Sequence, residues 1–424
     1  MEYKLGKVST FYDSLHKTPK NYNIYGYPMV RVKDISTGFL DLSSCFNVSE
    51  DDYLEFSKKY KPQSGDIIIT RVGTYGNIAL VTNDKRFCLG QNTVILNVDK
   101  KIIDNKYLFY YLTSSMGQQQ IESKVTGSTQ KTISLKSLKE INIIRHDYYK
   151  EKQIGNLLYK IDNKINNNRQ IVANLEELSQ TIFKRWFVDF EFPDENGNPY
   201  KSSGGEMVDS ELGMIPKGWE IITINDFANN NVITGKTPST KIKENYSETG
   251  IPFLTIPDMH NDIFALNTER YISELGIEKL SKKVLPKNSL SISCIATPGL
   301  ISIIANDTLT NQQINSFTPS ENALYYLYFK LKGMKDYIRD LGSGGSATLN
   351  LNKTQFSKIK LVKPINEILH KHDKLVSPNF KMILNIQKEI QQLIQLRDTL
   401  LPKLMSGEIE IPDDIEVNED ELSI

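Results

Sequence analysis

The feature that most constrains this chain is that it repeats itself. A shift of 218 positions lays residues 107–187 on residues 325–405 without a gap. Tyr107 then meets Tyr325, Tyr110 meets Tyr328, Met116 meets Met334, and Gly127-Ser128 meets Gly345-Ser346. Ile141 falls on Ile359, Leu175 on Leu393 and Leu178 on Leu396. Positions that differ stay apolar, as in Ile133 with Leu351, Ile143 with Leu361 and Ile182 with Leu400. Upstream, small shifts continue the match: Pro28-Met29-Val30 with Asp34 resembles Pro252-Phe253-Leu254 with Asp258, and Thr18-Pro19 resembles Thr237-Pro238. Gly76 and Gly299 follow similar strand-like runs, and Gln91 falls near Gln312. Such self-similarity means one folding unit used more than once. A chain of 424 residues therefore reads as two copies of a module of roughly 200 residues, each long enough for its own core.

Each module has a mixed part and a helical part. "GDIIITRVGTYGNIALV" is two β-rich apolar runs about a glycine-containing turn, which predicts a hairpin with a longer loop. "NKYLFYYLTSSMGQQQIES" has the spacing of an amphipathic helix. A Gly/Ser/Thr loop follows in both copies, at 126–132 and 342–348, and then a short strand-like segment ending near Ile143 and Leu361. The helical spacing of Tyr107, Tyr110, Tyr325 and Tyr328 points to core packing rather than to stacking platforms. Trp186 and Phe187, at the end of a long helix, read as core or subunit interface.

From Ile154 the apolar positions are 154, 158, 161, 165, 172, 175, 182 and 186, with Asn168 and Ser179 as the polar members of the stripe. That alternating spacing over more than four heptads predicts a coiled coil. The helix from Ile154 to Phe187, about 34 residues at ~1.5 Å each, spans roughly 50 Å. In the second copy the stripe continues through Ile383, Ile386, Ile390, Leu393, Leu400 and Leu404. Pro378 is hostile to a helix interior, so this helix is expected to start later. Between the modules, "FPDENGNPYKSSGGEMVDSELGMIPKGW" reads as turns and linker rather than core.

A net charge of zero hides a pattern. Residues 1–150 carry a balance of +6 and residues 221–365 one of +4, whereas 191–220 carry −5 and the tail 406–424 carries −8. Two mildly basic modules suit contact with phosphates, although solvated charged faces explain them as well. The apolar runs are too short for a bilayer span, and the opening MEYKLGKV lacks a signal-peptide stretch, so a cytoplasmic, non-membrane protein is expected. Three scattered cysteines, Cys45, Cys88 and Cys294, argue against a disulfide framework and a cysteine zinc site.

Motifs for catalysis are missing. There is no GxxxxGK[ST] phosphate loop, no GxGxxG after a strand and no HExxH. His370 and His372, two apart, read as a surface pair rather than a metal site. Ser128-Thr129-Gln130-Lys131 fits SxxK without its companions. No Asn/Asp-Pro-Pro-aromatic tetrapeptide occurs; Asn198-Pro199-Tyr200 lacks the second proline. The balance moves to a binding or organising protein, with a coiled-coil protein-binding scaffold and a stand-alone DNA-processing enzyme with an unrecognised site as rivals.

With repeat, helices and linker in hand, the chain resembles the specificity (S) subunit of type I restriction-modification systems. "LGMIPKGWE" (Leu212 to Glu220) looks like the segment opening a target recognition domain in this family. "FKRWFVDFEFP" (Phe183 to Pro193) resembles the end of its central conserved helix, and "LRDTLLPKLMSGEI" (Leu396 to Ile409) its distal one. "RVGTYGNIAL" (Arg71 to Leu80) and "SGGSAT" (Ser343 to Thr348) are similar to recurring recognition-domain segments. The first module lacks an "IPxGW" opening, and the second has Pro298 where the first has Tyr75, and Ala296 near the first copy's Gly73.

The resemblance implies an α+β fold: two pseudo-repeated mixed α/β target recognition domains separated by two long helices packed as an antiparallel coiled coil. It implies recognition domains at 1–150 and 221–365, spacer helices at 151–190 and 366–406, a linker at 191–220 and an acidic tail at 407–424. It further implies a non-catalytic subunit that binds no cofactor. Each recognition domain would read half of an asymmetric, interrupted sequence in double-stranded DNA. The helices would set the spacing and dock two modification (methyltransferase) subunits that carry S-adenosylmethionine and methylate adenine N6. Motor-nuclease restriction subunits, with ATP and Mg, would add translocation and cleavage.

Base reading needs paired donors and acceptors at a groove edge. Candidates in the first module are Arg71, Thr74, Tyr75, Gln91, Asn92, Ser128, Thr129, Gln130 and Lys131. Those in the second are Thr297, Gln312, Gln313, Ser343, Ser346 and Thr348. The alternative is that the Gln-containing pairs close turns and the Gly/Ser loops only connect elements.

Overall fold

Each module opens with a strand that pairs antiparallel with the strand closing it: Glu2–Lys4 with Asn142–Ile144, and Glu220–Thr223 with Lys360–Lys363. The computed structural model describes residues 2–127, 131–260, 262–343 and 350–412. Within the first module a five-stranded sheet has the order Ser9–Asp13, Thr93–Val98, Ile67–Thr70, Ile78–Leu80, Gly38–Phe39. The second module repeats it as Ile233–Thr234, Ile314–Phe317, Leu290–Ser293, Ile301–Ile304, Phe264–Ala265. In both, the last pair is parallel and the others antiparallel. The repeat read from the sequence is thus a repeat of topology.

The run Ile67-Ile68-Ile69 is apolar throughout because both sheet faces are covered. Ile67 and Ile69 pack with the helices of the module, whereas Ile68 faces a second cluster with Val30, Phe87 and Ile95. In the second module the inner strand is Leu290-Ser291-Ile292-Ser293. Its serines lie fully buried, and the Ser291 hydroxyl is within 2.9 Å of that of Ser316.

The predicted amphipathic helix at 105–123 is two helices, Asn105–Thr113 and Ser115–Ser123. Ser114 ends the first and caps the second by accepting from the Gly117 amide. The first helix is not amphipathic: all six residues from Tyr107 to Leu112 are buried. The equivalent Leu324–Lys332 buries Tyr326, Leu327, Tyr328 and Phe329. Tyr107, Tyr110 and Tyr328 are core, as their spacing predicts, and Tyr325 is packed against it.

The long helices are Tyr148–Phe187 and Asn366–Ser406. The chain forms two compact units, Met1–Asn166 with Gln392–Ile424, and Asn167–Gln391. Each unit therefore holds a portion of both helices. Within the first unit, Asp162 pairs with Arg397 at 2.8 Å, and Ile154 and Leu158 share a core with Leu404 and Met405. Within the second, Asn168 Nδ2 donates to Glu389 Oε2 at 3.0 Å and Asn379 Nδ2 to Ser179 Oγ at 3.1 Å. Farther along, Trp186 lies against His372. One number falls as the other rises, so the helices pair antiparallel in each unit. The two polar seam positions find polar partners, a device that fixes register in such pairs.

Three further expectations need correction. The second helix does not start after Pro378; it runs through it. A helix-interior proline costs about 3 kcal/mol, but Val376, Phe380 and Ile383 around it are fully buried, each contributing roughly 1.5–3 kcal/mol. The linker is not merely turns: Phe192, Ile215 and Trp219 belong to the second module's core, and Trp219 stacks on Phe192 at 5.2 Å. His372 is not a surface residue. His370 is exposed, but His372 is fully buried beside Phe187, and neither of its ring nitrogens has a hydrogen-bond partner.

Burial pulls the pKa of His372 from 6.5 down to about 3, so the folded chain holds the ring neutral. The unfolded chain takes up that proton first as pH falls. The associated stability is complete above pH 6.5 and is lost progressively toward pH 3. His372→Phe should flatten this profile, so that from pH 7 to pH 5 the variant loses about 2 kcal/mol less stability than wild type. Denaturant titrations at pH 7 and pH 5 check it, and an equal drop in both proteins would contradict it.

Candidate nucleic-acid interface

In the first module two turns meet at one end of the sheet. The hairpin turn after Thr70 is closed by the Gly76 amide on the Thr70 carbonyl and by the Thr70 hydroxyl on the Thr74 carbonyl. It requires Gly73 and Gly76 at φ 77° and 79°, a region that favours glycine. Next to it, Gly90–Asn92 enters the strand Thr93–Val98. Asn92 has φ 64° and its carbonyl accepts from the Arg71 amide at 2.9 Å.

The pairing of Thr70 with Thr93 brings Thr74, Gln91 and Asn92 to one cavity of about 390 Å³. Lys17, Tyr22, Arg31 and Lys33 complete its wall. Arg31 forks onto Asp34 at 2.7 and 2.8 Å and lies 4.0 Å over the Phe46 ring. Lys17 pairs with Glu55. Amide, hydroxyl and cationic groups converge here on a concave surface, the mixture that base and phosphate contacts need.

The remaining first-module candidates have other placements. Arg71 points inward: Nη1 meets both Asp13 carboxylate oxygens at 2.7 and 2.8 Å, and Nε donates to the Ile133 carbonyl at 3.1 Å. It ties the hairpin to the sheet edge. Tyr75 and Lys131 meet at Glu122, with the tyrosine hydroxyl 2.5 Å and the ammonium 3.2 Å from its carboxylate. The hydroxyl first, then the ammonium, hold Glu122 below the usual carboxylate range. Ser128, Thr129 and Gln130 lie outside the described residues.

The second module repeats the turn on different residues. The Gly299 amide bonds the Ser293 carbonyl and the Ser293 hydroxyl bonds the Thr297 carbonyl. Ala296 takes the place of Gly73 at φ 62°, a strained position for an alanine. Thr297 is exposed. Gln312 is exposed and accepts from the Thr237 hydroxyl at 2.6 Å. Gln313 is half-buried and bonded to Asn311. Ser343 caps its helix end by donating to the Asp340 carbonyl. Ser346 and Thr348 lie outside the described residues.

Sequence reasoning missed Lys17, Tyr22, Arg31 and Lys33. One signal for them existed. Thr18-Pro19 and Thr237-Pro238 recur beside Gln91 and Gln312, and both pairs come together in space.

Arg71→Ala should lower the stability of the first module by about 2–4 kcal/mol, because Asp13 would be left mostly buried without its partner. Thr74→Ala and Gln91→Ala should remain within about 0.5 kcal/mol of wild type. Guanidinium unfolding monitored on the first module separates the two classes, and a negligible effect of Arg71→Ala would return it to the list of free surface donors.

The model of the type I restriction modification DNA specificity domain matches residues 1–177 and again 216–396. The HindI type I restriction enzyme specificity subunit of Haemophilus influenzae is 31% identical, over 96% of this chain and 99% of that protein. The MjaIX specificity subunit of Methanocaldococcus jannaschii is 26% identical, over 86% of this chain and 82% of that protein. Among solved structures, the S subunit of a type I restriction-modification system from M. genitalium superposes with a TM-score of 0.61 at 20% identity, covering 95% of both chains, and so shares the fold. The two family matches fall on the two modules marked out by the internal repeat and by the repeated sheet order. This chain belongs to the family of type I restriction-modification specificity subunits and carries two copies of its DNA specificity domain.

Proposed function

We propose that the chain is the non-catalytic subunit that gives a type I restriction-modification complex its DNA sequence specificity. Each module reads one half of an asymmetric, bipartite site in duplex DNA, and the helices set the distance between the halves. The observation that carries this reading is the pairing of a repeated frame with unrepeated loops. Sheet order and turn hydrogen bonds recur in both modules, but Tyr75 is replaced by Pro298 and Lys131 by Leu349 at the equivalent places. A common frame with different surface chemistry is what two different half-sites demand.

The helices also offer surface to partners. Ile171 and Leu178 on the first, and Leu375, Met382 and Leu396 on the second, are large apolar residues exposed at multiples of seven positions. That spacing repeats one helix face and suits docking of helices from two methyltransferase subunits. Those subunits would supply S-adenosylmethionine and adenine methylation, and restriction subunits the ATP, Mg and nuclease chemistry, with this chain binding none of these. No described helix is long and apolar enough to cross a membrane, in keeping with a complex that works on DNA in the cytoplasm.

Exchange of residues 221–365 for the equivalent region of another specificity subunit tests the reading. The methylated motif, sequenced from cells expressing the chimera with its modification partner, should change in one half only, with the other half and the gap unchanged. A change in both halves, or an active chimera with the original motif, would contradict independent reading.

A further inference from the structure

The tip of the first module presents two large apolar side chains to solvent on a braced backbone. Ile24 is 85% and Tyr25 87% exposed. The turn carrying them is fixed: the Asn23 amide donates to the Asn47 carbonyl at 2.8 Å, and Asn47 Nδ2 donates to the Ile24 carbonyl at 2.9 Å. Gly26 closes it at φ 137°, where a Cβ would lie 2.1 Å from the Val48 carbonyl oxygen. Below the tip, Tyr22 packs edge-on against Phe46 at 5.1 Å, under the Arg31 guanidinium. Lys33 sits 4.9 Å from the same Phe46 ring.

We propose that Ile24 and Tyr25 form a rigid wedge that enters the DNA groove beside the bases faced by Gln91 and Asn92. This rests on the reading of that cavity as a base-contacting surface. Charge identifies the occupant. Lys17, Arg31 and Lys33 line one cavity with Tyr22, two residues before Ile24, and an apolar wedge beside a wall of basic side chains matches a duplex, whose base steps are flanked by phosphates.

The repeat adds a second argument. A shift of 224 lays Pro28 on Pro252 and Gly26 on Gly250. Gly250 has φ 144°, and a Cβ there would lie 2.4 Å from the Ile272 carbonyl oxygen. The frame is the same, yet the tip residues are Glu248 and Thr249, both exposed. A conserved turn within one chain that carries Ile-Tyr in one copy and Glu-Thr in the other is a place where the two half-sites are told apart.

The test uses the chain assembled with its modification subunits and a duplex carrying the motif found methylated in cells. 2-Aminopurine placed at successive steps of each half reports unstacking. Wild type should raise fluorescence at one step of the half-site assigned to the first module. I24A/Y25A should lose that signal and bind at least about tenfold more weakly, with an unchanged salt dependence because no charge is removed. Wild-type affinity and fluorescence in I24A/Y25A would overturn the wedge, and so would loss of the modification subunits from the purified variant. Q91A/N92A separates the two levels. If it alters the methylated motif while I24A/Y25A does nothing, the cavity reads bases and the wedge is wrong. If neither variant alters the motif, the reading of the cavity falls and the wedge with it.

Discussion

A buried tyrosine hydroxyl bound to a helix carboxylate is the contact on which the rest depends. Tyr110 donates to Asp162 at 2.8 Å, and Arg397 from the second helix completes the group at 2.8 Å. Tyr328, its repeat partner, donates to Glu176 at 2.5 Å, with Lys332 on the same carboxylate. Burial, reinforced by the carboxylate, raises both tyrosine pKa values, so each hydroxyl remains a donor at any physiological pH. Hydrogen bonds to charged groups out of water are among the stronger ones. Each recognition domain is thereby fixed to the helices, the attachment that the proposed spacer role requires.

The two attachments are related but not identical. Position 162 corresponds by repeat to Phe380, which packs against Tyr325 and Tyr328. The second module thus meets an aromatic ring where the first meets a carboxylate, and takes its carboxylate from the other helix. Repetition preserved the need for a partner for the tyrosine while the residue that meets it changed.

Much of this was legible in the sequence where a period carries the signal. The 218-residue offset, the heptad stripe and the helical spacing of the tyrosines each gave the correct element, because burial on one face leaves a regular trace. What failed was what period cannot report. Pro378 argues locally for a break, and only the burial of Val376 and Phe380 overrides it. The linker's Gly and Ser hid the aromatic cluster of Phe190, Phe192 and Trp219. His372 looked like half of a surface pair because a spacing of two says nothing about which residue faces inward. At Arg71, chosen because Arg is a strong base-reading type, no period announces Asp13, far off in sequence, which holds its guanidinium. Lys17, Arg31 and Lys33 were invisible for the reverse reason, since the segments that form the cavity wall are brought together only by the sheet.

The central claim is that the paired helices, each shared between the two units, set the gap in the DNA site. Inserting seven residues that preserve the stripe into both helices, after Asn166 and after Gln391, tests it most directly. Seven residues add about 10 Å, close to three base pairs of a helix that turns every ~34 Å. Sequencing of the methylated motif should show both half-sequences unchanged and the gap between them longer by about three base pairs. An active complex that methylates the original motif with its original gap would contradict the account.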